Sequence, residues 1–129
     1  MGSWGYGNFD SDGALNMLAM WMNKIIGNIR ETFALDSEDS LYERHGENHI
    51  VANVDILTTL CEHYNTFPDL ELEEISKWKQ DYLNTYDHLS RHVTRLDDKV
   101  DLKQRREIIA DTFDRFYRFA NQFYEEETE

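Results

Sequence analysis

The chain has 129 residues, of which 26 are acidic and 13 are basic, giving a formal net charge of −13. A surface this acidic repels phosphate backbones and anionic membranes, and it attracts basic protein partners. The composition therefore argues against direct nucleic-acid binding and against membrane association. The length is close to the most common domain size and favours one domain over residues 1–129.

Cys61 is the single cysteine, so the chain cannot form an internal disulfide and gains nothing from an oxidising compartment. Polar residues interrupt every apolar run near the N-terminus, and no stretch reaches the roughly 20 apolar residues of a membrane-spanning helix. These features predict a cytoplasmic protein.

Apolar residues recur at steps of three and four along the chain, a spacing that predicts α-helices. The first helix is predicted after an irregular, packed, glycine-rich start, residues 1–11, and Asp10, Ser11 and Asp12 are candidate capping residues. Its apolar face is predicted to contain Leu15, Leu18, Met22, Ile25, Ile29 and Phe33.

Three large apolar residues of this helix lie off that face. Met17 and Met20 fall on the opposite side, and Trp21 falls on the flank. Exposed apolar side chains of this size usually have a cover, so we expect the aromatic residues of the start to fold back over them. The residues expected to provide that cover are Trp4, Tyr6 and Phe9.

A polar loop, residues 34–46, precedes a second predicted helix, which begins near Glu47 and ends before Pro68, because the residue before a proline avoids helical geometry. The apolar face of this helix is predicted to contain Ile50, Val54, Leu57, Cys61 and Tyr64. A third helix is predicted over residues 72–96, with a continuous apolar face made of Leu72, Ile75, Trp78, Tyr82, Tyr86, Leu89, Val93 and Leu96.

Asp97 and Asp98 predict a break before the fourth helix, residues 102–124. Its inward-facing residues are predicted to be Ile109, Phe113, Phe116, Ala120 and Phe123. The acidic tail, residues 125–129, is expected to fray because its like charges repel one another. Helices joined by short connections pack antiparallel, so the sequence predicts an all-α, single-domain antiparallel four-helix bundle with an irregular N-terminal segment.

Two pairs of histidines have the four-residue spacing of metal ligands on a helix: His45 with His49, and His88 with His92. Neither pair has the flanking glutamate of a metalloprotease signature, and the chain lacks the paired Glu-x-x-His motifs of a di-iron bundle. We interpret these histidines as structural or surface residues and expect no metal and no cofactor. Cys61 lies on an apolar helix face, where a thiol stays protonated, so the sequence offers no nucleophile and predicts a protein that is not an enzyme.

An acidic segment follows the first helix. Six acidic residues fall within residues 31–47 and are opposed only by Arg44. One interpretation is a solvated connection between helices. The other is a docking surface for a cationic protein, in which an aromatic residue anchors the interface. The predicted partner contacts are Asp36, Glu38, Asp39, Tyr42, Glu43 and Glu47.

The first fourteen residues contain a pattern of aromatic, glycine and acidic positions, from Trp4-Gly5-Tyr6-Gly7 to Phe9-Asp10-Ser11-Asp12. This pattern resembles the start of an uncharacterised bacterial family whose members open with Met-Gly-x-Trp-Gly-x-Gly-x-Phe-Asp-Asn-Asp-x-Ala. Ser11 departs from it, because the family commonly has asparagine there. The resemblance implies a small helical domain, and some members look like immunity proteins because they are encoded beside polymorphic toxins.

The leading hypothesis is a cytoplasmic immunity protein that binds one basic toxin domain, such as a nuclease, and blocks it by stoichiometric occlusion. In that case the acidic surface would occupy the toxin's basic cleft as a nucleic-acid mimic. The alternative is a non-catalytic helical domain that mediates protein interaction or regulation. A bundle-type enzyme or metal protein is the third class. The sequence leaves the oligomeric state open.

Overall fold

The computed structural model describes residues 5–35, 47–90 and 96–128. These ranges contain four helices: α1 (Asp12–Phe33), α2 (Ala52–Tyr64), α3 (Leu72–Ser90) and α4 (Leu96–Thr128). A π-helical turn, Glu47–Val51, leads directly into α2. The helices pack against one another, so the prediction of an all-α helical bundle is confirmed. Within the described ranges, no helix combines the length and the apolar character needed to cross a membrane.

Capping interactions set the ends of the first two helices. Ser11 caps α1, because its Oγ accepts a hydrogen bond from the Ala14 N–H at 3.3 Å. Asn65 ends α2 in the left-handed conformation, with φ at 49°, and its N–H donates to the Cys61 carbonyl. Pro68 follows three residues later, so α2 stops where the proline predicts.

The predicted apolar faces form the core. The residues with no more than 4% exposure include Met22, Ile26 and Ile29 of α1, Ile50, Val54, Leu57 and Cys61 of the second helical segment, Ile75, Trp78, Tyr82 and Tyr86 of α3, and Ile109, Phe113, Phe116 and Ala120 of α4. Leu15, Ile25 and Phe33 pack at the edge of this core rather than inside it. Helical periodicity therefore identified the buried residues with small errors at the margins.

Helix α4 contacts both α2 and α3. Lys79 of α3 pairs with Asp114, and the Tyr86 hydroxyl donates to the Leu102 carbonyl at 2.9 Å, so α3 and α4 are antiparallel as predicted. Residues later in the α2 segment contact residues later in α4, so these two helices run parallel. Arg115 pairs with Asp55 and Glu62 of α2, and the ring of Phe67, just beyond α2, packs against Phe123. Connection lengths alone do not predict this direct α2–α4 contact.

Two predicted boundaries around α4 are wrong. Helix α4 begins at Leu96, so Asp97 and Asp98 lie in its first turn and do not form a break. Acidic residues are stabilised at a helix N-terminus, which is why they suit this position. The helix also continues to Thr128, beyond its predicted end at Tyr124. The Tyr124 hydroxyl donates to the Leu70 carbonyl at 2.6 Å, and Asn121 donates to Glu125, which holds this last part of α4 in place.

Candidate protein-interaction surface

The glycines of the start segment are explained by a tight turn around Asp10. The Asp10 carboxylate accepts a hydrogen bond from the Gly7 N–H at 2.8 Å, and the Asp10 N–H donates to the Gly7 carbonyl at 3.2 Å. A Cβ atom on Gly7 would lie 2.7 Å from Asp10 Oδ2, closer than atoms can approach. This part of the N-terminal pattern therefore builds the turn that leads into α1.

Tyr6 and Phe9 do not cover the off-face residues of α1, so the prediction is wrong for these two residues. The Phe9 ring packs on Tyr64 at the end of α2, with 4.3 Å between ring centroids. Tyr6 is fully exposed. The turn held by Asp10 places Phe9 beside α2, and the remaining predicted cover, Trp4, lies outside the described residues.

Met17, Met20 and Trp21 form an exposed apolar surface on α1, which we call the α1 surface. Their exposures are 58%, 48% and 54%. The Lys24 ammonium lies 4.6 Å from the centre of the Trp21 ring, in a cation–π contact. Lys24 is also the only charged residue between Asp12 and Arg30. Large apolar side chains with few charges among them have the composition of an interface core.

Helix α2 packs beside α1. Asn53 of α2 donates a hydrogen bond to the Asn28 side-chain oxygen at 3.0 Å, and the Phe9–Tyr64 contact joins the other ends of the two helices, so they run antiparallel. Trp21 lies seven residues before Asn28, and Leu60 lies seven residues after Asn53, two turns along the same side of each helix.

This register brings Trp21 and Leu60 to the same level. Leu60 and the neighbouring Ile56, which is 48% exposed, line a shallow cavity of about 420 Å³. Ile56 and Leu60 thus form an apolar patch on α2.

The sequence pattern of DUF4259, described as a domain of unknown function, matches residues 2–128. The chain belongs to this family. The match includes all four helices and extends far beyond the N-terminal pattern. No curated protein and no solved structure matches the chain. The α1 surface of this DUF4259 protein therefore has to be interpreted from its own residues.

The described histidines have surroundings that fit the structural interpretation. His49 Nδ1 lies 3.0 Å from the same Asn28 oxygen that accepts from Asn53, which ties the π-helical turn to α1. His88 is exposed, as predicted, while His45 and His92 lie outside the described residues. Among the residues that the structure describes, no three His, Cys, Asp or Glu side chains converge on a point that could hold a metal ion.

Cys61 is fully buried in the core of this DUF4259 protein. Burial, helped by the neighbouring negative charge of Glu62, raises the pKa of the Cys61 thiol to about 12. The thiol is therefore protonated at neutral pH, as expected for a cysteine on an apolar helix face.

Five of the predicted partner contacts lie outside the described residues: Asp36, Glu38, Asp39, Tyr42 and Glu43. Glu47 begins the π-helical turn, and only its backbone is described. The acidic docking surface therefore stays a prediction. The α1 surface was not predicted as a site, because its residues were assigned a cover. Their position off the core face, combined with the scarcity of charge along α1, is the sequence signal that could have identified it.

Proposed function

We propose that this DUF4259 protein is an immunity protein, which binds a basic toxin domain in a stoichiometric complex and blocks the toxin's active site. The observation that carries this proposal is the α1 surface, an uncovered cluster of Met17, Met20 and Trp21 on a protein whose net charge is −13. Such a protein has both parts of a high-affinity interface: apolar anchors at the contact and a field that attracts the partner.

The anchors account for short-range binding. Tryptophan is among the residues that most often dominate binding energy, and methionine adapts its shape to irregular partner surfaces. The Trp21 ring already holds one cation, Lys24, on its face. An arginine or lysine of a basic toxin can stack on such a ring in the same way.

The net charge accounts for long-range attraction. An acidic surface increases the rate of encounter with a basic protein, and salt weakens this effect. The proposal keeps the predicted contacts from Asp36 to Glu47 as a cluster of acidic residues that adds to this attraction. Neither part requires chemistry by the immunity protein, because occlusion alone blocks a toxin.

The test is co-expression of the chain with the product of the neighbouring gene, followed by measurement of cell survival and of the dissociation constant of the purified complex. We expect the double variant Met17→Ala, Trp21→Ala to weaken binding about 30-fold or more, as hot-spot residues do. Ile108→Ala is the matched control, because Ile108 is an exposed apolar residue of α4 with 56% exposure, close to the 58% of Met17.

The contribution of these acidic residues is tested by reversing Asp36, Glu38 and Asp39 to lysine. This change should lower the association rate more than reversal of the same number of acids in the tail, Glu125, Glu126 and Glu127. An association rate that is independent of salt would contradict the steering part of the proposal.

The same experiment separates the immunity reading from the alternative. Failure of the chain to protect cells from the neighbouring gene product would contradict an immunity function. Binding through the α1 surface to a partner that is not toxic would instead support a helical interaction or regulatory domain.

A further inference from the structure

The outward face of α1 is centred on Met20, which is 48% exposed. Met20 lies nine positions before the fully buried Ile29, about two and a half helical turns, so the two side chains point in opposite directions. Gly13 and Gly27 lie seven positions before and after Met20, close to the same line along the helix. A Cβ atom on either glycine would meet nothing within 4 Å, so both ends of this line are open to a neighbouring molecule.

The side chains between the two glycines are arranged almost symmetrically about Met20. On one flank, Asn16 lies four positions before Met20 and Asn23 lies three positions after it. On the other flank, Met17 lies three positions before Met20 and Lys24 lies four positions after it. A face with this symmetry matches itself when a second copy is turned through 180°, which is the requirement of a twofold interface.

An antiparallel pair of α1 helices, with a twofold axis beside Met20, would match these residues in pairs. Gly13 of one copy would face Gly27 of the other, and glycines let two helix backbones approach closely. Asn16 would meet Asn23 of the second copy. Both asparagine side chains are exposed, and neither makes a hydrogen bond to another described residue. Each amide has a donor and an acceptor, so the two can pair with each other.

The apolar residues of the α1 surface would meet on the opposite flank. Met17 of one copy would lie against Trp21 of the other, and a methionine sulfur makes favourable contacts with an aromatic ring. The two Trp21 rings would lie near each other beside the axis. Both residues are more than half exposed in the single chain, so this contact removes accessible apolar area from water.

The charge of this face also fits a second copy. Two chains that each carry a net charge of −13 repel each other wherever their acidic surfaces meet. Lys24 is the only charged residue between Asp12 and Arg30, so no carboxylate lies in this part of α1. Two copies can therefore meet along this face without placing acidic residues opposite each other.

We propose that two copies of the free protein associate through the α1 surface as an antiparallel pair of α1 helices. From Gly13 to Gly27 the contact spans about 21 Å of one helix, which gives less than the roughly 800 Å² per partner of a standard interface. The dimer should therefore be weak and reversible, with a dissociation constant in the micromolar range. A toxin and a second copy would compete for the α1 surface, a consequence that rests on the proposed function.

The experiment is sedimentation equilibrium of the full chain alone, from about 1 μM to about 1 mM, at about 0.15 M salt to screen the general repulsion. We expect the mass to rise with concentration from 15.4 kDa towards twice that value. Met20→Lys places two like charges beside the axis and should raise the dissociation constant about 30-fold or more. Ile108→Lys is the control, because it makes the same change in net charge at an exposed apolar residue of α4 and should not weaken the dimer.

Two further variants test the geometry. Gly27→Leu should also weaken the dimer about 30-fold or more, and because leucine favours a helix more than glycine does, unfolding would not explain the loss. Met20→Cys should form a disulfide between copies under mild oxidation, whereas Ile108→Cys should not. The native Cys61 is fully buried and does not compete for the oxidant.

A mass of 15.4 kDa at every concentration would overturn the proposal. An unchanged dimer in Met20→Lys or Gly27→Leu, or equal crosslinking of Ile108→Cys, would overturn it as well. No toxin takes part in these measurements, so a failure of the dimer is distinguishable from a failure of the immunity function.

Discussion

The α1 side of the bundle leaves Met17, Met20 and Trp21 at the surface with Lys24 as their charged neighbour, whereas the α3–α4 side carries paired ions above a buried apolar floor. On the α1 side, the core is formed by a different set of residues of the same helix, such as Met22 and Ile29. The exposed residues are therefore not needed for folding. Apolar residues that the core does not use are the ones most available for binding, which is why we propose α1 as the partner interface.

The largest difference in stability expected from this comparison is between substitutions of two aromatic residues. Phe113 is completely buried and lies 6.1 Å from the Tyr82 ring, centroid to centroid. Phe113→Ala should lower the free energy of unfolding by about 3–5 kcal/mol, because it empties a core site. Trp21→Ala should lower it by less than about 1 kcal/mol, as exposed substitutions do. Urea denaturation measures both, and equal losses would show that Trp21 is part of the core.

The sulfur-containing side chains also fall into a buried group and an exposed group. Because burial raises the pKa of Cys61 to about 12 from an ordinary value of 9.0, its thiolate fraction at pH 8 falls roughly a thousandfold. Iodoacetamide should therefore leave Cys61 unmodified until urea unfolds the chain. Peroxide should oxidise the exposed Met17 and Met20 before the buried Met22. Mass spectrometry checks both reactions, and early oxidation of Met22 would mean that α1 opens in the native state.

A smaller effect is expected in the turn before α1. Gly7→Ala forces the Asp10 carboxylate to move, because the new Cβ would lie 2.7 Å from its Oδ2. The variant should lose the Gly7–Asp10 hydrogen bond and about 0.5–1.5 kcal/mol of stability. Gly13 lies inside α1 with open space around it, so Gly13→Ala should instead stabilise the protein by about 0.5–1 kcal/mol. Thermal unfolding of the two variants distinguishes a steric role from general glycine flexibility.

The smallest effect concerns the ion pair that joins α1 to α3. Two hydrogen bonds from Arg30, each 2.7 Å long, lower the pKa of Glu74. A lowered carboxyl pKa stabilises the folded state above the ordinary carboxyl pKa, and this contribution is lost as pH falls through the lowered value. Arg30→Gln should therefore cost less than about 1 kcal/mol at neutral pH and nothing once Glu74 is protonated. Carboxyl titration by NMR should show the Glu74 pKa rising in this variant, whereas Lys79→Gln should leave it unchanged.

Helical periodicity correctly predicted the features that depend on one helix alone, such as its buried apolar face. The apolar faces around Met22, Val54 and Phe113 follow from spacing alone, and all three residues are buried. Asp97 and Asp98 were misassigned because aspartate is favoured both in loops and in the first turn of a helix.

Helical periodicity could not predict contacts between helices that are distant in the sequence. The pairing of Arg115 with Asp55 and Glu62 depends on how α2 and α4 pack side by side, which no local pattern specifies. The position of Phe9 against Tyr64 likewise depends on the tertiary register of α1 and α2. These contacts between helices were therefore recognisable only after the helices were placed.

The position of α4 between α2 and α3 also has a kinetic consequence. The contacts of α3 with α4 join residues 16 to 35 positions apart, whereas those of α2 with α4 join residues separated by 53 or 60 positions. Contacts that are close in sequence form faster, because less chain entropy is lost in bringing them together. We expect the α3–α4 hairpin to form first and to act as the template on which α2, with Phe67 among the aromatic rings of α4, docks later. Mutations in the hairpin would then slow folding, and mutations at the α2–α4 contact would mainly speed unfolding.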